Sequence, residues 1–370
     1  MKRSIGAALA LLLLPGALLA QTGGTTGDIN SGTNNTPYGG RTATWLLLPG
    51  DARGAALGGS FAAVATGVQS MYWNPAGLPL SDQKGAALSY TPYVADTHHL
   101  WAGFSTPLRG GEWALGVSIT SFGFSDQPVY TTDQQTGTGD TYSVAETAIG
   151  ATLGMQLSDK FSVGFTGKYL SDQLGQTTAS GFAVDFGTNY HAKLAGKAIR
   201  ASFTILDYGS SLTFGGAGLN TSVAPTGQGV EDQPAALRSS PSDLPTQFHV
   251  GLAYDLASSQ SNRLTVSSEF WQPSDATPGF GLAAEYALNV SNVQAALRGS
   301  WSYLKDNTQD ASSAFTQGAF KSNLSTGLDG LALGGGLQSK VFGSSIGVDY
   351  AYRNLGALSG VNMFTVHFGW

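Results

Sequence analysis

Hydrophobic and polar residues alternate one by one along most of the chain from Gly85 onward. In one such segment, Phe161, Val163 and Phe165 alternate with small or polar residues. This period of two predicts β-strands with one apolar and one polar face. The segments are roughly 9–12 residues long, which suits a tilted membrane strand better than the shorter strands of soluble domains. The pattern therefore predicts an all-β chain.

We predict about fourteen of these strands, an even number, as in bacterial outer-membrane barrels. Their centres lie near Leu88, Ala102, Gly116, Ile149, Gly164, Val184, Ala201, Gly251, Val266, Ala283, Ala296, Gly334, Gly347 and Val366. Short turns are predicted after even-numbered strands, at residues 108–111, 158–160 and 288–292. Long polar loops are predicted after several odd-numbered strands, at residues 121–141, 207–245 and 305–323. A soluble sandwich gives no reason for this alternation, whereas short periplasmic turns and long external loops are typical of a transmembrane antiparallel barrel.

Charged residues within the predicted strands fall on the face opposite to the apolar one. They are Lys168, Asp185, Arg200, Glu269, Glu285, Arg298, Asp349 and Arg353. In a membrane barrel the apolar face contacts lipid, so these charges line the lumen. We expect them to pair with one another; the functional alternative is that Lys168, Arg200, Arg298 or Arg353 binds an anionic head group.

The N-terminal part of the chain divides by composition. Lys2 and Arg3, a short apolar run and Ala20 predict a secretory signal peptide over residues 1–20, because the run is too short for a membrane anchor. Residues 21–37 form a polar, flexible leader rich in Gly, Thr and Asn. Residues 38–84 are predicted to be a compact plug, and residues 85–370 the barrel. The protein is thus expected in the outer membrane of a Gram-negative-type bacterium.

Composition removes several function classes. The chain has no cysteine, a net charge of −6 and only 11% charged residues. These values argue against thiol catalysis, thiolate metal sites and nucleic acid as a partner. No catalytic or metal-binding motif is present, so we predict neither an enzyme nor a cofactor. His98 and His99 are interpreted as a solvated pair at a loop end rather than as metal ligands.

The last strand carries Phe364, Val366, Phe368 and Trp370 on one face. A final aromatic residue on the lipid face would lie in the interfacial aromatic girdle of a barrel. This ending resembles the terminal signal that outer-membrane assembly machinery reads, and it predicts that machinery as a partner.

One compact string stands out in the predicted plug: Trp73-Asn74-Pro75-Ala76-Gly77-Leu78. The longer segment 52–78, ARGAALGGSFAAVATGVQSMYWNPAGL, resembles the N-terminal signature of the PorV/PorQ group of FadL-like outer-membrane barrels. Asn74-Pro75-Ala76 is similar to the motif of the FadL hatch. The resemblance implies a fourteen-stranded barrel whose lumen is plugged by an N-terminal hatch. A barrel of that size would otherwise leak, since wide barrels enclose a water-filled lumen.

Two functions follow from this resemblance. One is passive uptake of hydrophobic, fatty-acid-like molecules, gated by the hatch, with Trp73, Leu78 and Leu80 lining an apolar pocket. The alternative is a PorV-like component of a protein secretion system, which binds exported cargo and partner proteins. Outer-membrane lipid is a partner in both cases, and the residues alone leave both functions open.

Overall fold

The computed structural model describes residues 40–223, 232–276, 278–304, 330–355 and 360–370. The predicted signal peptide, the leader and the predicted loop 305–323 lie outside these residues.

The described residues form sixteen strands. They are β1 (Gly85–Pro92), β2 (His98–Leu108), β3 (Trp113–Pro128), β4 (Thr141–Ser158), β5 (Phe161–Leu174), β6 (Thr177–Leu194), β7 (Lys197–Gly209), β8 (Asn220–Val223), β9 (Gln233–Ala236), β10 (Gln247–Ser258), β11 (Asn262–Pro273), β12 (Gly279–Val290), β13 (Val293–Leu304), β14 (Leu331–Val341), β15 (Ser344–Asn354) and β16 (Gly360–Gly369). Strands β8 and β9 pair only with each other, and the other fourteen form one closed antiparallel barrel. Every predicted strand centre lies within one of these fourteen, so the predicted barrel and its strand count are confirmed.

The barrel closes where the first strand meets the last. Gly85 faces Gly369 and Leu88 faces Val366 across the antiparallel ladder between β1 and β16. Closure leaves no open sheet edge, which a structure in lipid cannot tolerate because exposed backbone groups there find no partner.

Alternation along each strand separates two environments. Outward side chains are exposed and apolar; Val117 is 56% and Leu297 is 70% accessible. Most inward side chains are small, hydroxylated or charged, although Trp101 and Leu170 also lie on this face. Thr152 and Thr166 hydrogen-bond there at 2.9 Å. This is the pattern of a barrel with an apolar band facing lipid and a polar interior.

Strand length differs from the prediction in one part of the barrel. Strands β3 to β7 span 13–18 residues, longer than the predicted segments. The ladder of β3 and β4 continues beyond an irregularity at Phe124, where Gln127 still pairs with Tyr142. The intervening loop is therefore residues 129–140 instead of 121–141.

The ends of the barrel differ in loop length. Connections after even-numbered barrel positions are short: residues 109–112, 159–160, 195–196, 259–261, 291–292 and 342–343. Most connections at the opposite end are longer, and the one from β7 to β10 contains the β8–β9 hairpin. The β5–β6 connection, residues 175–176, is the exception there. We name these the short-turn end and the long-loop end.

Helical turns lie mainly in residues 40–84, which we call the N-terminal segment. They are the 3-10 helix Thr44–Leu47, α1 (Ala52–Ala56), the 3-10 helix Gly67–Gln69, α2 (Ser70–Trp73) and the 3-10 helix Pro75–Leu80. Further 3-10 turns are Val94–Asp96, Arg109–Gly111 and Ala217–Leu219. In the part of the chain that is described, none of the helices has the length and apolarity needed to cross a membrane.

Candidate functional site: the N-terminal segment against the inward face of the barrel

The N-terminal segment runs from one end of the barrel to the other. At the long-loop end, Arg41 pairs with Asp243, and the Thr42 amide donates to the Asp243 carbonyl at 3.2 Å. At the short-turn end, the Lys84 amide donates to the Trp370 carbonyl at 3.1 Å. Between these ends the segment contacts inward residues of the strands, as the following paragraphs describe.

Asp51 organises the first helix of the segment. Its Oδ1 accepts from the Gly54 amide at 3.0 Å and caps α1, while its Oδ2 accepts from the Trp73 indole. Burial raises the pKa of Asp51, and these hydrogen bonds act against the rise. A Cβ on Gly54 would lie 2.3 Å from the Trp73 ring, so only glycine fits there.

Arg53 joins the segment to a chain of ion pairs on the wall. Its Nε and Nη2 donate to the two oxygens of Glu285, both at 2.8 Å. Arg298, directly opposite Glu285 in the ladder, donates from Nε to Glu285 at 2.7 Å and from Nη1 to Asp349 at 2.6 Å. His367 Nε2 lies 3.2 Å from Asp349. Glu285 thus has two guanidinium neighbours, and Asp349 has one beside the His367 ring, which offsets part of the cost of burial.

Two glycines of the Gly334-Gly335-Gly336 run make room for these contacts. A Cβ on Gly334 would lie 2.5 Å from the Ala56 Cβ, and one on Gly336 would lie 2.1 Å from Asp349 Oδ1. The glycine run is therefore a site of close packing within β14.

A second group of charges lies in β5 to β7. Lys168 Nζ is 2.8 Å from Asp185 Oδ2 and 2.6 Å from Asp207 Oδ1. Asp185 Oδ1 also accepts from the Asp207 amide at 2.8 Å. Lys168 thus forms ion pairs with two buried carboxylates.

Two further pairs contain Arg200 and Glu269, which were also predicted to line the lumen. Arg200 pairs with Asp255, whose Oδ1 also accepts from the Thr265 hydroxyl at 2.9 Å. Glu269 Oε1 lies 2.8 Å from His249 Nδ1, and its Oε2 accepts from the Ala62 amide at 3.0 Å. Glu269 therefore holds the N-terminal segment as well as the histidine.

Arg353 differs from the other predicted lumen charges. Among the described residues it has no ion-pair partner, and it lines a cavity of about 10 Å³ at the long-loop end. Tyr93, Pro49 and Val361 are neighbours in that cavity.

Asn74 is fully buried between two helical turns. It ends α2 and caps the following 3-10 helix, where its Oδ1 accepts from the Ala76 amide at 3.1 Å. Its Nδ2 donates to the Ala62 carbonyl at 3.0 Å and to the Thr188 carbonyl of β6 at 3.1 Å. One amide side chain thus satisfies backbone groups of the segment and of the wall.

The residues after Asn74 pack directly on the barrel. The Ser162 hydroxyl of β5 donates to the Ala76 carbonyl at 2.8 Å. A Cβ on Gly77 would lie 2.2 Å from the Ala65 carbonyl oxygen, and a Cβ on Gly164 would lie 2.2 Å from the Pro75 carbonyl carbon. Gly164 thus permits the close approach of the segment to the wall, and Gly77 permits close packing within the segment.

Two apolar residues of the motif pack against other residues of the segment. The Trp73 ring stands edge-on to Phe61 at 5.8 Å between centroids. Leu78 is buried in a cluster with Val68 and Met71. Neither residue, nor Leu80, lines the four cavities described below, and the apolar pocket stays a prediction.

His99 corrects another expectation. It begins the inward series of β2 and is 2% exposed, whereas a solvated pair was predicted. Strand β2 starts at His98, so the alternation turns the next side chain inward. Within the described residues, no group of three or more His, Asp or Glu side chains is placed to hold a metal ion.

Sequence reasoning missed several residues that hold the segment. Ser267 donates to the Ser60 carbonyl at 2.7 Å, Ser300 to the Ala56 carbonyl at 2.9 Å, and Ser302 to the Gly58 carbonyl at 3.2 Å. Ser300 and Ser302 alternate with outward residues in Gly-Ser-Trp-Ser, so their inward position was readable. The backbone carbonyls to which they donate could not be predicted from the sequence.

Four small cavities lie between the segment and the wall or beside them. Their volumes are about 40, 120, 20 and 10 Å³. The largest of the four is lined by Arg53, Arg200 and Arg263 together with the Glu285 carboxylate, three hydroxyl groups and two aliphatic side chains. Small-molecule sites usually occupy roughly 300–1,000 Å³ and are mostly apolar.

The C-terminal aromatic residues lie on the outer surface. Phe364, Phe368 and Trp370 are each about half exposed, and Val366 shares their face. The Trp370 ring lies 5.9 Å from the Phe104 ring on β2, across the closing strand β1.

The barrel is similar to several solved structures. The Pseudomonas putida toluene transporter TodX is 12% identical, with a TM-score of 0.53, over 87% of this chain and 98% of that chain. The Ralstonia pickettii toluene transporter TbuX is 12% identical, with a TM-score of 0.52, over 87% and 98%. The CymD monoaromatic hydrocarbon channel is 12% identical, with a TM-score of 0.51, over 88% and 97%. At this identity the likeness shows the fold.

The family is identified by a sequence match. Residues 34–231 of the 370 match the family model described as "Type IX secretion system protein PorV". No curated protein matches this chain. The fourteen-stranded barrel and this match place the protein in the outer membrane. The chain therefore belongs to the PorV family.

Proposed function

We propose that this protein is an outer-membrane component of a type IX secretion apparatus. It receives exported protein at its long-loop end, while the N-terminal segment acts as a hatch that keeps the lumen shut. The family match supports the apparatus, and one observation carries the closed state: the segment is bonded to the wall on several sides.

The bonds that hold the segment are distributed around the barrel. Wall residues that hydrogen-bond to it come from β5, β6, β11, β12, β13 and β16: Ser162, Thr188, Ser267, Glu269, Glu285, Ser300, Ser302 and Thr365. Opening the lumen would break these bonds together. Removing one partner of a buried ion pair costs about 3–5 kcal/mol, so breaking the Arg53–Glu285 pair is alone a large cost.

The long-loop end offers a surface for a protein partner. Tyr130 in the β3–β4 loop is 62% exposed, and Val223 and Leu237 at the β8–β9 hairpin are 52% and 63% exposed. These apolar side chains lie outside the lipid-facing wall and are available to contact a protein partner. Short turns are periplasmic in these barrels, so this end faces outward and would meet exported protein.

A secretion assay tests the proposal. In a strain that lacks the gene, proteins bearing the export signal of this apparatus should accumulate in the periplasm, and re-expression of the wild-type chain should restore them to the medium. A photo-crosslinking residue at Leu237 should then capture exported protein, whereas the same residue at lipid-facing Leu297 should not. Unchanged secretion in the deletion strain would refute the proposal.

Uptake of hydrophobic molecules, the other predicted function, remains a prediction. The largest of the four cavities is polar and about 120 Å³, and the apolar one beside Pro49 is about 10 Å³. Neither supports a bound fatty acid without movement of the segment. Loss of labelled fatty-acid uptake on deletion of the gene, with secretion intact, would favour uptake instead.

A further inference from the structure

We propose that a cavity lined by Arg53, Arg200 and Arg263 binds a phosphate-sized oxyanion that enters from the periplasm. The bound group is an inorganic phosphate or the phosphate monoester of a lipid head group. The site does not depend on which protein the opposite end of the barrel engages.

The cavity lies at the short-turn end and opens there. Arg263 is the second residue of β11, immediately after the turn at residues 259–261, and its side chain is 39% exposed. Thr66 of the N-terminal segment lines the same cavity and is exposed. Both residues border the mouth, so a solute in the periplasm reaches the arginines without displacing the segment.

The three guanidinium groups have donors to spare. Arg53 donates to Glu285 from Nε and Nη2, so its Nη1 is free to donate to a ligand. Arg200 uses Nη2 on Asp255, and its Nε is buried with no hydrogen-bond partner. Arg263 Nη2 lies 3.6 Å from Glu285, too far for a hydrogen bond. The spare donors of Arg53 and Arg263 are therefore the groups that an anion in the cavity would meet.

Guanidinium groups are suited to bind phosphate, because their planar forks match its oxygens. Arg53 and Arg263 share the carboxylate of Glu285, and Arg200 pairs with Asp255. A phosphate would bind through the N–H groups that these ion pairs leave free.

Size and shape select the ligand. The cavity of about 120 Å³ has room for several water molecules, and therefore for one tetrahedral oxyanion. Three guanidinium groups match the three terminal oxygens of a phosphate monoester better than the two of a carboxylate. The hydroxyl groups of Thr66, Thr265 and Ser267, the carboxylate of Glu285, and the side chains of Leu57 and Val64 complete the lining. A sugar or acyl chain is too large, so a lipid would insert only its phosphate.

Calorimetric titration of the full chain in detergent micelles tests the site. We expect saturable binding of inorganic phosphate, and binding at least tenfold weaker in Arg263→Gln, since a charge-assisted hydrogen bond contributes that much. Arg263 is half exposed, so its replacement should not disturb folding. Arg109→Gln, an exposed position in the β2–β3 turn at the same end, is the matched control and should bind as the wild type does.

A second arm separates the two sources of the phosphate. Micelles doped with phosphatidic acid should compete with phosphate if the site takes a lipid head group, and should not compete if it takes only the free ion. Arg200→Gln, with barrel folding checked by heat-modifiable gel mobility, should abolish binding of both. No saturable phosphate binding, equal binding of chloride, or full binding in Arg263→Gln would each overturn the proposal.

Discussion

Arg53 in the N-terminal segment and Glu285 in β12 form a two-pronged ion pair, although 232 positions separate them in the chain. Glu285 also accepts a hydrogen bond from Arg298, and Arg298 donates a second one to Asp349. The segment is therefore bonded to the wall through a charge network that also bridges β12, β13 and β15. The proposed closure of the lumen and the proposed anion site both depend on these few side chains.

Replacing Arg53 should loosen the segment. Arg53→Met removes both hydrogen bonds to Glu285 while keeping a similar side-chain volume, and we expect a loss of about 3 kcal/mol in unfolding free energy. Urea unfolding in detergent, followed by tryptophan fluorescence, measures it. The exchanged pair Arg53→Glu with Glu285→Arg should recover part of the loss. A single variant as stable as the wild type would show that the pair contributes nothing.

Asn74 should tolerate neither alanine nor aspartate. Asn74→Ala loses the bonds to the Ala62 and Thr188 carbonyls, and we expect a cost of about 2–3 kcal/mol. Asn74→Asp should be worse, because a carboxylate oxygen would face those two carbonyl oxygens. Single-channel recording in planar bilayers should then detect openings that the wild type lacks. Asn292→Ala, in an exposed turn, serves as the control, and equal behaviour of all the variants would contradict the role of the Asn74 amide.

Two glycines of β5 form a matched pair for testing the packing of the segment. A Cβ at Gly164 would meet the Pro75 backbone at 2.2 Å, whereas nothing lies within 4 Å of a Cβ at Gly167. Gly164→Ala should displace the Asn74-Pro75-Ala76 turn and raise protease sensitivity within residues 40–84. Gly167→Ala should leave the digestion pattern unchanged. Identical digestion of both variants would place the segment away from this wall.

The direction of the segment predicts where its ends are exposed. Gly40 lies at the long-loop end, and Asp82 lies at the short-turn end. The chain has no native cysteine, so labelling of a single introduced cysteine reports on that position alone. A membrane-impermeant maleimide added to intact cells should label Gly40→Cys and spare Asp82→Cys, and both should react after lysis. The reverse pattern would invert the assigned orientation.

The tether at the start of the segment should persist over a wide pH range. Hydrogen bonds from Ser211 and Arg41 lower the pKa of Asp243 below its ordinary value. A lowered pKa means that the stabilisation is complete above the ordinary pKa of an aspartate and disappears only as the pH falls through the lowered value. Maleimide labelling of Gly40→Cys should therefore proceed at an unchanged relative rate, after correction for thiol ionisation, from about pH 8 to about pH 5. Asp243→Asn gives the released state for comparison, and a transition within this range would be inconsistent with the assigned contacts.

The positions of some site residues could be predicted from the sequence, and those of others could not. Glu285 and Arg298 were assigned to the inward face because they alternate with apolar neighbours in long strands. Arg53 carries no such signal, since it lies in a Gly- and Ala-rich stretch without regular period. His99 was misplaced because the first residue of β2 was uncertain, and a shift of one residue reverses the face of every side chain.

The sequence by itself determined the number of strands, their order, their two faces and the unequal ends of the barrel. These features depend on a local period of two and on turn residues, which neighbouring positions report directly. Only the tertiary structure decided the path of residues 40–84 and the partners of the inward charges. Those contacts join residues far apart in the chain, and their distances are set by how fourteen strands close and stagger, which no local pattern encodes.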